Sequence, residues 1–289
     1  MLDYSFNSKP IVDFPKNLWP NGLSNIPCPP EKLNIVGLHN FIKMKNKGYK
    51  FLTVVGSRNF TDYGERVCRD LLSGFAGYPI CIVSGLAYGI DSIAHQTALD
   101  VKLPTIGFPG SGLDSKYIYP SAHLSLSEEM INKGGCLISE FNHNRSGLPW
   151  MFPQRNRLMV GISDAVLIIE AAEKSGSGIT ANMTIEYDRN LLAVPGSIFN
   201  HNSKMTNRLI RSGAIPVSSS SDILEELGFD SLFDKTNTHN KRGLNTIEQT
   251  ILNYVQNGLS DRNEILKEMQ IPISELNRVM SKLEIDGLL

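Results

Sequence analysis

Five turns in this sequence join glycine to serine, and one of them adds an arginine. They are Val55-Gly56-Ser57-Arg58, Ser84-Gly85-Leu86-Ala87-Tyr88-Gly89, Pro109-Gly110-Ser111-Gly112, Ser175-Gly176-Ser177-Gly178 and Pro195-Gly196-Ser197. Glycine lets an anion come close to the main chain, and serine adds a hydroxyl donor. Free N–H groups at a helix start, with the helix dipole behind them, favour negative charge. The chemistry these residues suit is the binding of phosphate. Two familiar phosphate fingerprints are missing: the first turn reads VGSRNFTDYG rather than GxGxxG, and no GxxxxGK[ST] occurs. A dinucleotide fold or a P-loop ATPase is therefore not expected.

Charge narrows the kind of phosphate. The chain carries 28 Lys+Arg against 29 Asp+Glu, so any nucleic-acid signal must be local. Residues 51–229 hold 14 bases and 17 acids, yet residues 145–211 hold eight bases (Arg145, Arg155, Arg157, Lys174, Arg189, Lys204, Arg208, Arg211) and five acids. Cations gathered beside Gly/Ser turns fit a polyanion backbone. Phe141, Trp150 and Phe152 lie close to the same turns and suit stacking on unpaired bases. Asp91 and His95 sit four apart, as an acid–base pair would. The expectation is instead that Asp91 satisfies free N–H groups and His95 packs inside. Glu140 is expected to orient Arg58 or Arg157 by a charge-assisted bond. The six histidines and four cysteines are dispersed with no CxxC, so neither a catalytic residue, a metal site nor a cofactor is expected.

Something must hold these turns along one edge. Short apolar, β-branched runs recur at 51–55, 80–83, 105–108, 136–138, 165–169, 191–194 and 215–217, apolar on both faces as covered strands must be. Between them run helical periodicities, such as Val67, Leu71 and Leu72, or Ile90, Ala94 and Ala98. This alternation predicts an α/β fold: a Rossmann-like, doubly wound, mostly parallel sheet over 51–229, with ligands beyond the carboxyl ends of the strands. Residues 1–50, with six prolines before residue 31, are expected to form an irregular lead-in packed on that core. Residues 230–243 read as a linker. Residues 244–289 read as three short helices resembling a helix-turn-helix, with a capping box at Thr246 and Gln249 and an apolar face of Leu276, Val279, Met280 and Leu283. Its seven acids against four bases argue against a duplex-DNA reader and for protein contacts. With 41% hydrophobic residues, no apolar run of membrane-spanning length and no leader-like N-terminus, a cytoplasmic protein is expected.

The series of motifs in order resembles the bacterial DprA/Smf family of DNA-processing proteins over nearly the whole chain. The resemblance rests on Val55-Gly56-Ser57-Arg58 with Tyr63-Gly64, on 84–91 with Ala94-His95, and on Gly112-Leu113-Asp114 with Tyr119-Pro120. It continues through Ser139-Glu140, Phe152-Pro153-Gln154-Arg155-Asn156-Arg157, Glu170-Ala171, Ser175-Gly176-Ser177, Thr180-Ala181, Val194-Pro195-Gly196-Ser197, Asn207-Arg208-Leu209-Ile210 and Ser212-Gly213-Ala214. It departs at Met205, where the family has glycine, in a stretch at 114–119 that is longer than usual, and in a winged helix that stops before a full wing.

The resemblance implies an extended Rossmann-like domain with a small winged-helix-like C-terminal domain. It implies binding of single-stranded DNA, a homodimer, loading of the RecA recombinase and displacement of single-strand-binding protein during natural transformation, with no chemical reaction. Carried over residue by residue, the DNA site is Gly56, Ser57, Arg58, Ser84, Gly85, Arg155, Asn156, Arg157, Lys174, Ser175, Gly176 and Ser177. Arg58, Arg155, Asn156, Lys174 and Ser177 are the expected phosphate contacts. Two other readings stand beside it. One is a nucleotide-binding enzyme or sensor akin to Rossmann-like phosphoribohydrolases, although their PGGxGTxxE motif is absent. The other is a duplex-DNA regulator acting through the C-terminal unit.

Overall fold

The computed structural model describes residues 5–6, 9–173, 175–229, 247, 250, 251, 254, 262–269 and 271–285. They divide into two compact units, Met1–Phe229 and Asp230–Leu289. In chain order the first holds β1 (Ser5–Phe6), β2 (Lys9–Pro10), β3 (Val12–Asp13), α1 (Asn21–Ser24), β4 (Asn34–Val36), α2 (Leu38–Asn46), β5 (Lys50–Val55) and α3 (Asp62–Ser73). There follow β6 (Ile80–Ser84), α4 (Ile90–Asp100), β7 (Thr105–Gly107), α5 (Leu124–Asn132), β8 (Cys136–Ser139), α6 (Met151–Ile162) and β9 (Ala165–Ile168). The unit closes with α7 (Gly176–Glu186), β10 (Asn190–Ala193), α8 (Lys204–Arg211), β11 (Ile215–Pro216) and α9 (Ser220–Glu226).

The seven apolar runs become β5 to β11, all parallel to one another within a nine-stranded sheet of order β11-β10-β9-β5-β6-β7-β8-β4-β3. Alternate residues feed opposite faces, as the pleat requires. Phe51, Val55, Cys81, Val83, Val166 and Ile168 enter one core with Phe41 of α2, Leu158 of α6, Ala181 of α7 and Leu209 of α8. Leu52, Val54, Ile80, Ile82, Ala165 and Leu167 enter the other with Leu71 and Leu72 of α3, Ala94 of α4 and Ile223 of α9. Both faces are covered, so the strands carry almost no polar alternation. Cys68, Cys81 and Cys136 are buried free thiols, and burial pushes the Cys68 thiol up to about 12.

The first fifty residues correct the expectation of an irregular lead-in. β4 pairs antiparallel with β8, and β3 pairs antiparallel with β4, so this segment extends the sheet by two strands. Between β4 and β5, α2 buries Phe41 against Phe14 (ring centroids 4.7 Å apart) and Phe51 (6.0 Å). Two- and three-residue strands are too short to show a period. Their pairing comes from β8, more than a hundred residues away.

The strand order places the ligand edge. The chain moves outward from β5 through β6 and β7 to β8. It then crosses back through α6 to β9, on the other side of β5, and moves outward again to β11. β5 and β9 thus flank the point where the winding reverses, and a crevice opens beyond their carboxyl ends.

In the second unit, α10 (Arg262–Met269) and α11 (Ile273–Ile285) share a core of Ile251, Ile265, Leu276, Val279, Met280 and Leu283. The linker at 230–243 and the Thr246–Gln249 capping box lie outside the described residues. No helix among the described residues is long and apolar enough to cross a membrane.

Candidate nucleic-acid interface

A cleft of ≈ 580 Å³ occupies that crevice. The loop after β5 (Gly56 to Asn59) forms one wall, the start of α7 (Ser175 to Ser177) another, and α6 (Phe152, Arg155, Asn156) a third. The loops are packed tightly. Gly89 holds φ +82°, and a Cβ there would stand 2.7 Å from the Arg58 Cα, so the turn after β6 lies directly under the Arg58 loop. Ser57 folds that loop on itself, with its hydroxyl 2.9 Å from the Asn59 carbonyl.

Arg58 is exposed, with its guanidinium carbon 5.8 Å from the Phe152 ring centroid. Tyr119 stands 5.6 Å from the same ring. A cation and two aromatic faces therefore meet at the mouth, a combination that suits one phosphate and one unpaired base. Opposite them α7 begins at Gly176, with the main-chain N–H groups that every helix start leaves free. The Ser175 hydroxyl beside them is buried and has no protein partner. Trp150, 53% exposed, packs edge-on against Phe141 at 6.0 Å, in the segment leading into α6.

The structure redistributes the other residues expected at this site. Arg155 is a correction: it is only 3% exposed, and its Nη1 donates to the carbonyls of Gly85 (2.5 Å) and Phe108. Its guanidinium ties the loops after β6 and β7 to α6 rather than reaching for a ligand. Burial draws its pKa down to about 10, Asp91 opposes that, and Arg58 adds to it, so it stays charged at neutral pH. Ser84 is likewise interior and donates to the Val54 carbonyl at 2.7 Å, while Gly85 is buried beneath the Arg155 guanidinium. Arg157 is buried and paired with Glu140, which settles which arginine that carboxylate orients. Ser177 spends its hydroxyl hydrogen on the Gly56 carbonyl at 3.0 Å, leaving only its N–H to offer an anion. Asn156 faces the cleft and donates to the Thr180 hydroxyl at 3.0 Å. Lys174 lies outside the described residues.

Among the expected site residues, Gly56, Ser57, Arg58, Arg155, Asn156, Ser175, Gly176 and Ser177 line the one cleft, and Ser84, Gly85 and Arg157 do not. Sequence reasoning missed Asn59 and Tyr119 as wall residues. Tyr119 had a signal, since Tyr119-Pro120 stands among the motifs quoted above.

Residues 11–228, which take in the sheet from β3 to β11, match the family model of DNA recombination-mediator protein A. This chain is a member of the DNA recombination-mediator protein A family. Its relatives include Protein Smf of Escherichia coli, 43% identical over 178 residues, and the DNA processing protein DprA of Bacillus subtilis, 38% identical over 225 residues. The aligned parts are 62% of this chain and 47% of the E. coli protein, and 78% of this chain and 72% of the B. subtilis protein. The chain thus spans about half the length of the E. coli relative. Among solved structures, the DprA of Streptococcus pneumoniae superposes with a TM-score of 0.67 at 33% identity, over 76% of this chain and 75% of that one. A Helicobacter pylori DNA processing protein A, described for its single-stranded DNA binding mode, superposes with a TM-score of 0.66 at 28% identity, over 75% of this chain and 95% of that one.

In this family member, Asp91 receives free N–H groups and His95 packs inside, as expected. The Asp91 carboxylate accepts from the N–H groups of Gly85 (3.2 Å) and Ala87 (3.3 Å). Burial raises its pKa, and Arg155 pulls it back. The Thr105 hydroxyl donates to the Ile82 carbonyl (2.9 Å), so the 2.6 Å contact to His95 needs the imidazole to donate from Nδ1. Nε2 is then bare and buried. Burial, with His123 and Arg155 adding to it, lowers the His95 pKa from 6.5 to about 3. The unfolded chain takes up a proton near pH 6.5 and the folded chain does not until about 3. Stability should therefore fall by about 1.4 kcal/mol per pH unit as pH drops through that window. Proton NMR should find no titration of the His95 ring between about pH 5 and 8. A midpoint near the ordinary histidine value would refute the assignment. Among the described residues, no three His, Cys, Asp or Glu side chains gather as metal ligands would.

Proposed function

We propose that this protein binds single-stranded DNA in the cleft beyond β5 and β9, without base-sequence preference, and loads the RecA recombinase onto the bound strand in natural transformation. In this reading the protein acts as a homodimer that helps RecA displace single-strand-binding protein, and it carries no chemical step. The observation that carries the reading is the cleft mouth. One exposed arginine, two aromatic rings and the N–H groups of a helix start face a single open channel. Such a channel tracks a sugar–phosphate chain and stacks its bases. The relative from H. pylori supports the reading, because its structure concerns single-stranded DNA binding.

A gel shift with one oligonucleotide, single-stranded or annealed, at two salt concentrations tests it. The expected result is preferential retention of the single strand and a marked loss at the higher salt, with a slope of about −0.7 per phosphate contact. Equal affinity for the duplex would defeat the reading. Cleavage of an added mononucleotide would replace it with the enzyme or sensor related to phosphoribohydrolases.

A further inference from the structure

Beside the cleft, the loop from Pro195 to Ser203 holds two apolar side chains outward, Phe199 at 93% exposure and Ile198 at 77%. The loop is not loose. Asn207 grips Gly196 with both ends of its amide, accepting from its N–H (3.2 Å) and donating to its carbonyl (2.9 Å). Asn200 accepts from the Asn202 N–H at 2.9 Å, and Tyr63 donates to the Pro195 carbonyl at 2.7 Å. Among the described residues nothing covers the Phe199 ring, so its face is open to a ligand.

Two observations say which ligand. The first is continuity with the cleft. Asn202 donates to the Asn59 carbonyl at 2.7 Å, and Asn59 is a cleft wall residue next to Arg58. A strand that leaves the mouth past Arg58 and Asn59 meets this loop next, and Phe60, which follows Asn59, is exposed. The second is charge. From Asn190 to Ser221 the chain has no Asp or Glu, and Lys204 and Arg208 are exposed on α8. Lys204 directly follows the loop and is exposed. An aromatic face beside an exposed lysine, in a stretch without a carboxylate, is the composition of a single-strand track, whereas an apolar docking patch for a protein needs no such bias.

We propose that this loop is an outlying base site: an unpaired base leaving the cleft stacks on Phe199, and Lys204 meets the adjoining phosphate. The proposal rests on the cleft reading and lengthens it.

Fluorescence anisotropy of the full chain with oligo-dT of ~4 and ~12 nucleotides separates the two. Phe199→Ala should weaken the longer oligonucleotide about ten-fold and leave the shorter one as in the parent protein. Phe199→Trp should restore the affinity, with extra indole emission that only the longer strand quenches. Phe199→Leu should not restore it, because a stacked base needs a π face. Lys204→Glu should lower the salt slope for the longer strand by about 0.7 or more. The proposal is overturned if Phe199→Ala binds both lengths normally, or if leucine serves as well as phenylalanine. It is also overturned if the alanine variant changes its sedimenting mass, which would make the loop a contact between copies of this chain. If the parent protein binds neither length, the cleft reading itself fails and takes the outlying site with it.

Discussion

Replacing Arg155 with methionine is expected to cost about 3–5 kcal/mol of folding stability, a large part of the ~5–15 kcal/mol available to such a domain. The side chain is buried, and it bridges carbonyls from two loops while countering the charge of Asp91. Methionine fills similar space but leaves both carbonyls without that donor and Asp91 without its cation, and unpaired buried polar groups are the costly kind. Urea unfolding should show a lower midpoint at an unchanged slope. Asp91→Asn removes the other partner, so the double variant should lose less than the sum of the two single changes. An unchanged midpoint in Arg155→Met would mean that the guanidinium does not hold the loops together. Loss of DNA binding in this variant would reflect collapse of the cleft wall rather than loss of a phosphate contact.

Arg58→Glu is expected to do the reverse: intact stability and a large loss of single-strand affinity. Arg58 is exposed, packs on the Phe152 ring and makes no ion pair among the described residues, so its removal leaves no buried hydrogen bond unmade, although its charge also acts on Asp91 and Arg155. A charge-assisted bond to phosphate is worth about 1.5–3 kcal/mol, which is roughly 10- to 150-fold in affinity, and the reversed charge adds repulsion. The slope of log affinity against log salt should fall by about 0.7. Adding Lys174→Glu, the other cation expected at this site, should remove measurable binding. Thermal unfolding of both variants should match the parent protein. Full affinity in the double variant would take Arg58 and Lys174 out of the interface.

Arg58 and Arg155 looked alike as cations beside glycine turns, yet they belong to opposite classes. The difference is where each stands on its element. Arg58 lies in a loop beyond the end of β5, where side chains reach solvent. Arg155 lies on α6 among Met151, Leu158 and Met159, on the face turned to the sheet. Arg157 shares this fate because Glu140, 17 residues earlier in the chain, waits on the loop after β8. The serines divided in the same way. Ser84 ends a strand and turns inward to the main chain of β5, whereas Ser175, at the N-cap of α7, keeps an uncommitted hydroxyl.

Residue order alone determined the parallel strands of the sheet, the helices between them and the edge at which the cleft opens. Hydrophobic period and turn chemistry are properties of neighbours in the chain, and they need no knowledge of the far side of the molecule. The same holds for Asp91 as a receiver of N–H groups, since Gly85 and Ala87 are only six and four residues away. Tertiary structure decided the two added strands at β3 and β4, the burial of Arg155 and the free display of Phe199. Each of these depends on partners that the period cannot reveal: β8 for β4, and Gly85 and Phe108, 70 and 47 residues distant, for Arg155. For Phe199 the deciding fact was that no element among the described residues folds back to cover it. A cation beside a glycine turn can bind an anion or brace a loop with equal chemistry, and only the distance to the nearest carbonyls and to water separates the two roles.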